Sequence, residues 1–152
     1  MNSEIIKFEL DFYPEYIDND FPQAKILVDS EIKFDGIINN TQSSVVFSHT
    51  LTFDQPHQLI INRYGKTNKP QQLTIKKISI DGINIRNIIW AQSYNEPIYP
   101  EPWASQQREN GMTLEERIPG ETCFGHNGTW TLKFTSPFYK FLYAWINNEL
   151  DH

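Results

Sequence analysis

The chain has a single cysteine, Cys123, in 152 residues. One thiol makes no intrachain disulfide and no cysteine metal cluster, so Cys123 reads as a small buried hydrophobe. Basic residues are also few, 13 Lys and Arg against 19 Asp and Glu, for a formal net charge of −6. That balance opposes sequence-independent nucleic-acid binding, which needs cations to neutralise phosphates. Arg63, Lys66, Lys69, Lys76 and Lys77 fall close enough for a local basic patch, but no aromatic residues interleave them as on a single-strand platform. No apolar run approaches the ~18 residues of a membrane helix. The opening MNSEIIKFEL lacks the basic and apolar regions of a signal peptide. The expectation is no nucleic acid, no membrane and intracellular synthesis.

Catalytic motifs are missing as well. There is no Gly-x-Ser-x-Gly, no phosphate-cradling glycine loop and no His-Glu-x-x-His. Cys123 and His126 have a zinc-ligand spacing, yet no second pair accompanies them. His126-Asn127-Gly128 reads instead as a hairpin turn before the last strand. Glu101, Glu109, Glu115, Glu116 and Glu121 offer paired carboxylates, but glycoside cleavage needs two of them about 5–9.5 Å apart across a bond. The simpler reading is a solvated acidic loop. His49 falls on the apolar parity between Phe47 and Leu51, where a hydrogen-bonded core histidine is expected. The chain is read as a non-catalytic protein, with a small hydrolase as the remaining alternative.

What is present is alternation of period two. Phe8, Leu10 and Phe12 share one face of a first strand. Ala24, Ile26 and Val28 do so in a second, with Ile32 and Phe34 continuing its parity to Asp35-Gly36. Val45, Phe47, Leu51 and Phe53 line a third run, and Leu59 and Ile61 a fourth that follows Pro56. Leu73 and Ile75 change phase to Ile78 and Ile80 across Lys76-Lys77, the mark of a β-bulge. Asp81-Gly82 between apolar alternations is a type I′ hairpin signal, because both turn residues need positive φ. Trp130, Leu132 and Phe134 form the last strand. Seven short strands at this spacing predict a mostly β, two-sheet antiparallel β-sandwich, jelly-roll-like, over a single domain 1–152. No helix is expected between strands before residue 100.

Two helices complete the expectation. At the C-terminus, 136–148, Ser136 is placed as cap and Pro137 at the first helical position, ahead of Phe138, Phe141, Leu142, Trp145 and Ile146. The other spans 102–111, inside a long Pro-, aromatic- and acid-rich segment, 92–128. Structureless connections beyond about 12–15 residues are uncommon, and disordered ones are poor in aromatics. This segment is therefore read as one ordered loop insertion between the penultimate and last strands. Tyr94, Tyr99 and Trp103 can present flat apolar faces there, with Glu101 and Gln106 to hydrogen-bond hydroxyls. Sugar platforms and protein interfaces both use that combination. Asp18-Asn19-Asp20 is an oxygen cluster suited to Ca²⁺, with Asp18 and Asp20 as metal ligands, though a complete EF-hand pattern is absent.

The strand series with Ile78-Ser79-Ile80-Asp81-Gly82-Ile83 resembles the β-sandwich of carbohydrate-binding modules. Asn127-Gly128-Thr129-Trp130-Thr131-Leu132 with Ser136-Pro137-Phe138-Tyr139 resembles the ending of small tailed-phage proteins that carry no assigned activity. The first resemblance implies a carbohydrate-binding module. The second implies phage origin and leaves an alternative, a virion structural or accessory protein that works through protein–protein assembly, including as a homo-oligomer. Host cytoplasm or the virion would then be its location.

Overall fold

The computed structural model describes residues 2–147. In chain order the elements are β1 Ser3–Tyr16, β2 Gln23–Val28, β3 Glu31–Ile37, β4 Ser44–Thr52, β5 Pro56–Tyr64, β6 Gln71–Ile80, β7 Ile83–Asn84, α1 Arg86–Gln92, β8 Ser93–Pro97, α2 Trp103–Glu109, β9 Ile118–Pro119, β10 Cys123–Phe124, β11 Gly128–Thr135 and α3 Phe138–Ile146. Two antiparallel sheets face each other. One runs β10-β6-β1-β4, with β7 also on β6; the other runs β3-β2-β5-β11-β8-β9. This is the predicted β-sandwich.

The alternation maps onto the interior. Phe8, Leu10 and Phe12 of β1 and Leu73, Ile78 and Ile80 of β6 are buried, as are Ile26, Leu59, Ile61, Trp130 and Leu132 of the other sheet. Phe8 stacks on Phe47 within its sheet at 5.1 Å and meets Phe134 across the core at 6.2 Å. Each such side chain stabilises the fold by about 1.5–3 kcal/mol relative to exposure. The β1–β6 register slips between Asp11/Lys77 and Phe12/Ile75, so Lys76 is the extra residue of the predicted bulge. Asp81 and Gly82 have φ of 52° and 82°, as the hairpin reading requires.

Several expectations need correction. The run through Ile32 and Phe34 is a separate strand: Asp29 turns at φ 55°, β3 folds back on β2, and Ile32 is exposed. A helix does precede residue 100, since α1 buries Ile88 and Ile89. Segment 92–128 is not a loop insertion alone. It supplies β8 and β9 to one sheet and β10 to the other. Residues 125–127 are therefore a crossover between sheets, not a hairpin turn, because β10 pairs with β6 while β11 pairs with β5 and β8. His49 is half-buried at the sandwich edge beside Glu31, 3.1 Å away. Burial, and after it Lys33, lowers its pKa.

At the last helix Pro137 occupies the N-cap, and Ser136 does not cap. The Glu4 carboxylate does so instead, accepting the Ser136 hydroxyl and the Phe138 N–H at 2.7 Å. Phe138 and Phe141 are buried, and Tyr139, Tyr143 and Ile146 face outward. The final predicted helical residue, Asn148, lies outside the described residues. No helix among the described residues is long and apolar enough to cross a membrane.

Candidate functional site

One end of the sandwich gathers the loop before β6, the crossover before β11 and the chain leaving β8. Asn127 ties them: its side-chain oxygen accepts from Lys66 N–H at 3.0 Å, and its carbonyl accepts from Ile98 N–H at 2.7 Å. Gly128 follows because β8 runs so close that a Cβ would sit 2.6 Å from the Glu96 carbonyl oxygen. Beyond β8, α2 starts after a cis Glu101–Pro102 peptide and buries Ala104. Gly111, at φ 85°, ends the 102–111 stretch as predicted.

These elements bring three rings together. Tyr99 lies 5.3 Å from His126 and 6.3 Å from Trp103, and Trp103 lies 5.4 Å from His126. Trp103 is 38% exposed. The Tyr99 hydroxyl donates to the Glu115 carbonyl at 2.6 Å, which orients the ring. Burial, then Glu115, raises the Tyr99 pKa. Beside the rings is a cavity of about 390 Å³, bordered by Lys66, Asn68, Glu101, Trp103, His126 and Asn127 among others. Burial, then Lys66 and Arg63, lowers the His126 pKa, so its ring is a neutral aromatic partner at pH 7. Chemically the arrangement offers a partly exposed indole with amide, ammonium and carboxylate groups around it. That suits contact with polyhydroxylated or planar polar ligands.

Of the five residues proposed for ligand contact, Tyr99, Trp103 and Glu101 meet at this end. Glu101 also accepts the Ser105 hydroxyl and lies 3.9 Å from Arg108. Gln106 is exposed on α2 and does not border the cavity. Tyr94 is on the outward side of β8, paired with Thr131 and Pro119, and its ring lies under the Arg117 guanidinium at 4.1 Å. Asp18 and Asp20 are in the turn after β1. Thr67 donates its hydroxyl to Asp20 at 2.6 Å, and Lys69 is 3.9 Å from Asp18. Among the described residues no three His, Cys, Asp or Glu side chains gather as a metal site.

Two contributors escaped the sequence reading. In the sequence His126 reads as a turn residue, and only its ring contacts reveal it. In the sequence Arg63 reads as part of a basic patch, but it is 1% exposed behind the site. It donates from Nη1 to the Phe124 carbonyl and from Nη2 to Gln71, each at 2.6 Å, and Gln71 donates to the Asp20 carbonyl at 2.6 Å. The available signal was parity: Arg63 continues Leu59 and Ile61 on the inward face of β5.

No family model matches the chain, and no curated protein matches it in sequence. Among solved structures, vCBM60 in complex with galactobiose matches with a TM-score of 0.50 at 8% identity, covering 83% of this chain and 96% of that one. A second match is the selenomethionine form of vCBM60, described with circular permutation as an evolutionary link between two families of calcium-dependent carbohydrate-binding modules. It has a TM-score of 0.50 at 8% identity, over 84% and 89% of the two chains. The likeness is one of fold: this β-sandwich is similar to that of a carbohydrate-binding module. Neither match bears on the phage-like string.

Proposed function

We propose that the protein is a non-catalytic carbohydrate-binding module that holds a sugar chain on the Tyr99–Trp103–His126 ring cluster. The observation that carries this reading is the outward indole of Trp103 beside a polar cavity, at one end of a sandwich of this fold. Trp103 supplies the stacking face, while Asn127, Asn68, Lys66 and Glu101 are the groups placed to meet hydroxyls. The likeness to vCBM60, which is in complex with galactobiose, supports sugar as the ligand class and makes galactobiose the first probe. Titration followed by intrinsic tryptophan fluorescence tests it. Galactobiose or another disaccharide of a small panel changes the emission of the wild type, and Trp103→Ala abolishes the change while the far-UV spectrum stays the same. A full response in Trp103→Ala removes this site from the reading.

Calcium is a further part of the proposal, since one of the matched modules is described as calcium-dependent. Asp18 and Asp20 supply two carboxylates in one turn, and since Ca²⁺ takes about 6–8 oxygen ligands, further oxygens would have to complete the site. Calcium titration of the wild type against Asp18→Asn/Asp20→Asn checks it, with loss of any calcium-induced rise in Tm as the expected outcome.

A second reading, assembly with a protein partner or with further copies, is favoured by the outward residues of α3, Tyr139 at 76% and Ile146 at 67% exposure. A solution mass above that of one 17.9 kDa chain, reverting in Tyr139→Glu, supports it.

A further inference from the structure

The sequence contains an exposed tryptophan that the ring cluster does not use. Trp90 is 71% exposed, on the helix whose neighbouring residues Ile88 and Ile89 are buried. The backbone beneath it is fixed. A Cβ on Gly120 would lie 3.1 Å from Trp90 Cα, Gly120 donates its N–H to the Ser93 carbonyl at 2.9 Å, and Ser93 donates its hydroxyl to Ile89. The backbone that carries the exposed indole is thus rigidly supported, which lowers the ordering cost of binding.

Trp90 borders two cavities. One, about 790 Å³, includes Arg86, Asn87, Pro119 and Trp145; the other, about 420 Å³, includes Lys76, Lys77 and Arg86. Both volumes fall in the range of small-ligand clefts. Arg86, Lys76 and Lys77 make no ion pair among the described residues. The nearby Asp11 carboxylate accepts the Ser44 hydroxyl. In a chain of net charge −6, three cations against one carboxylate, Asp11, around an exposed indole form a locally positive, anion-attracting surface. The β-bulge at Lys76 is what puts two adjacent lysines at the edge of this cleft.

We infer that Trp90, Arg86, Lys76 and Lys77 form a second glycan contact, selective for an oligosaccharide that carries carboxylates. Stacking on Trp90 takes the ring face, and the Arg86 fork takes a carboxylate in bidentate fashion. The inference rests on the carbohydrate-binding reading but uses different residues, so the two are separable.

The test is two-dimensional ¹H–¹⁵N NMR of the full chain, whose four tryptophans give four indole signals, assigned with Trp90→Phe and Trp103→Phe. Trigalacturonate shifts the Trp90 signal, more strongly at low salt. Arg86→Gln weakens that binding about tenfold. If galactobiose moves Trp103 while trigalacturonate leaves Trp90 unmoved, the second site is wrong and the proposed function stands. If trigalacturonate moves Trp90 and no sugar moves Trp103, the second site holds and the first is wrong. Silence of both signals toward both sugars refutes both. A short oligothymidylate that shifts Trp90 at lower concentration than trigalacturonate also overturns the inference, and assigns the surface to single-stranded nucleic acid.

Discussion

Replacing Arg63 tests how the end of the sandwich beneath the ring cluster is held together. Its guanidinium is buried, its Nε has no hydrogen-bond partner among the described residues, and its two Nη groups join the Phe124 carbonyl to Gln71. Burial is the main cause that lowers its pKa well below the ordinary arginine value, to about 10, with Cys123 and Asp20 opposing. The side chain therefore remains charged at neutral pH, and burying it costs about 3 kcal/mol. Above about pH 10 the folded chain releases the proton while the unfolded one still keeps it, so stability from this group rises with pH only in that strongly alkaline window. Arg63→Ala returns the desolvation cost but orphans two buried polar groups and opens a cavity. The expected net loss is about 3–5 kcal/mol. Arg63→Met keeps most of the volume and loses about 1–2 kcal/mol, because only the orphaned carbonyl and amide remain. Urea denaturation at pH 7 measures both variants. An Arg63→Ala within about 0.5 kcal/mol of wild type, or a Met variant as unstable as Ala, would refute the reasoning.

Three further outcomes follow from the geometry. Gly128→Ala forces a Cβ against the β8 backbone and costs about 1–3 kcal/mol, read as a lower Tm with faster amide exchange in β8. Glu4→Ala removes the carboxylate that caps α3 and costs about 1–2 kcal/mol by denaturation, while Glu4→Gln, which keeps an acceptor oxygen, loses less. His126 and His49 both have folded pKa values below the unfolded 6.5, so the unfolded chain binds more protons under acid conditions. Stability therefore falls as pH drops below 6.5, and His126→Asn makes that decline shallower in Tm measured from pH 7.5 down to about 5.

The sandwich was legible because most strands bury one face and leave the other wet, which writes period two directly into the sequence. The Lys76 bulge and the Asp81-Gly82 turn were readable for equally local reasons. Strand β8 was not, because its inward residues are Ser93 and Asn95, with Asn95 opposite the buried Trp130. Polar groups facing a core leave no hydrophobic alternation to detect. Helix α1 escaped because Ile83, Ile85, Ile88 and Ile89 begin in strand spacing and end in helical spacing within seven residues. Of the candidate site, the Trp103 helix was visible from Pro102 and Gly111 and the burial of Arg63 from its parity on β5, whereas His126 joins the rings only through contacts between distant segments.

Comparison of wild type and Trp103→Ala on one glycan array tests the central claim most directly. The account predicts that the wild type retains one class of glycan and that Trp103→Ala, folded by circular dichroism, loses it. Equal retention by both proteins, or no retained glycan by the wild type, would contradict it.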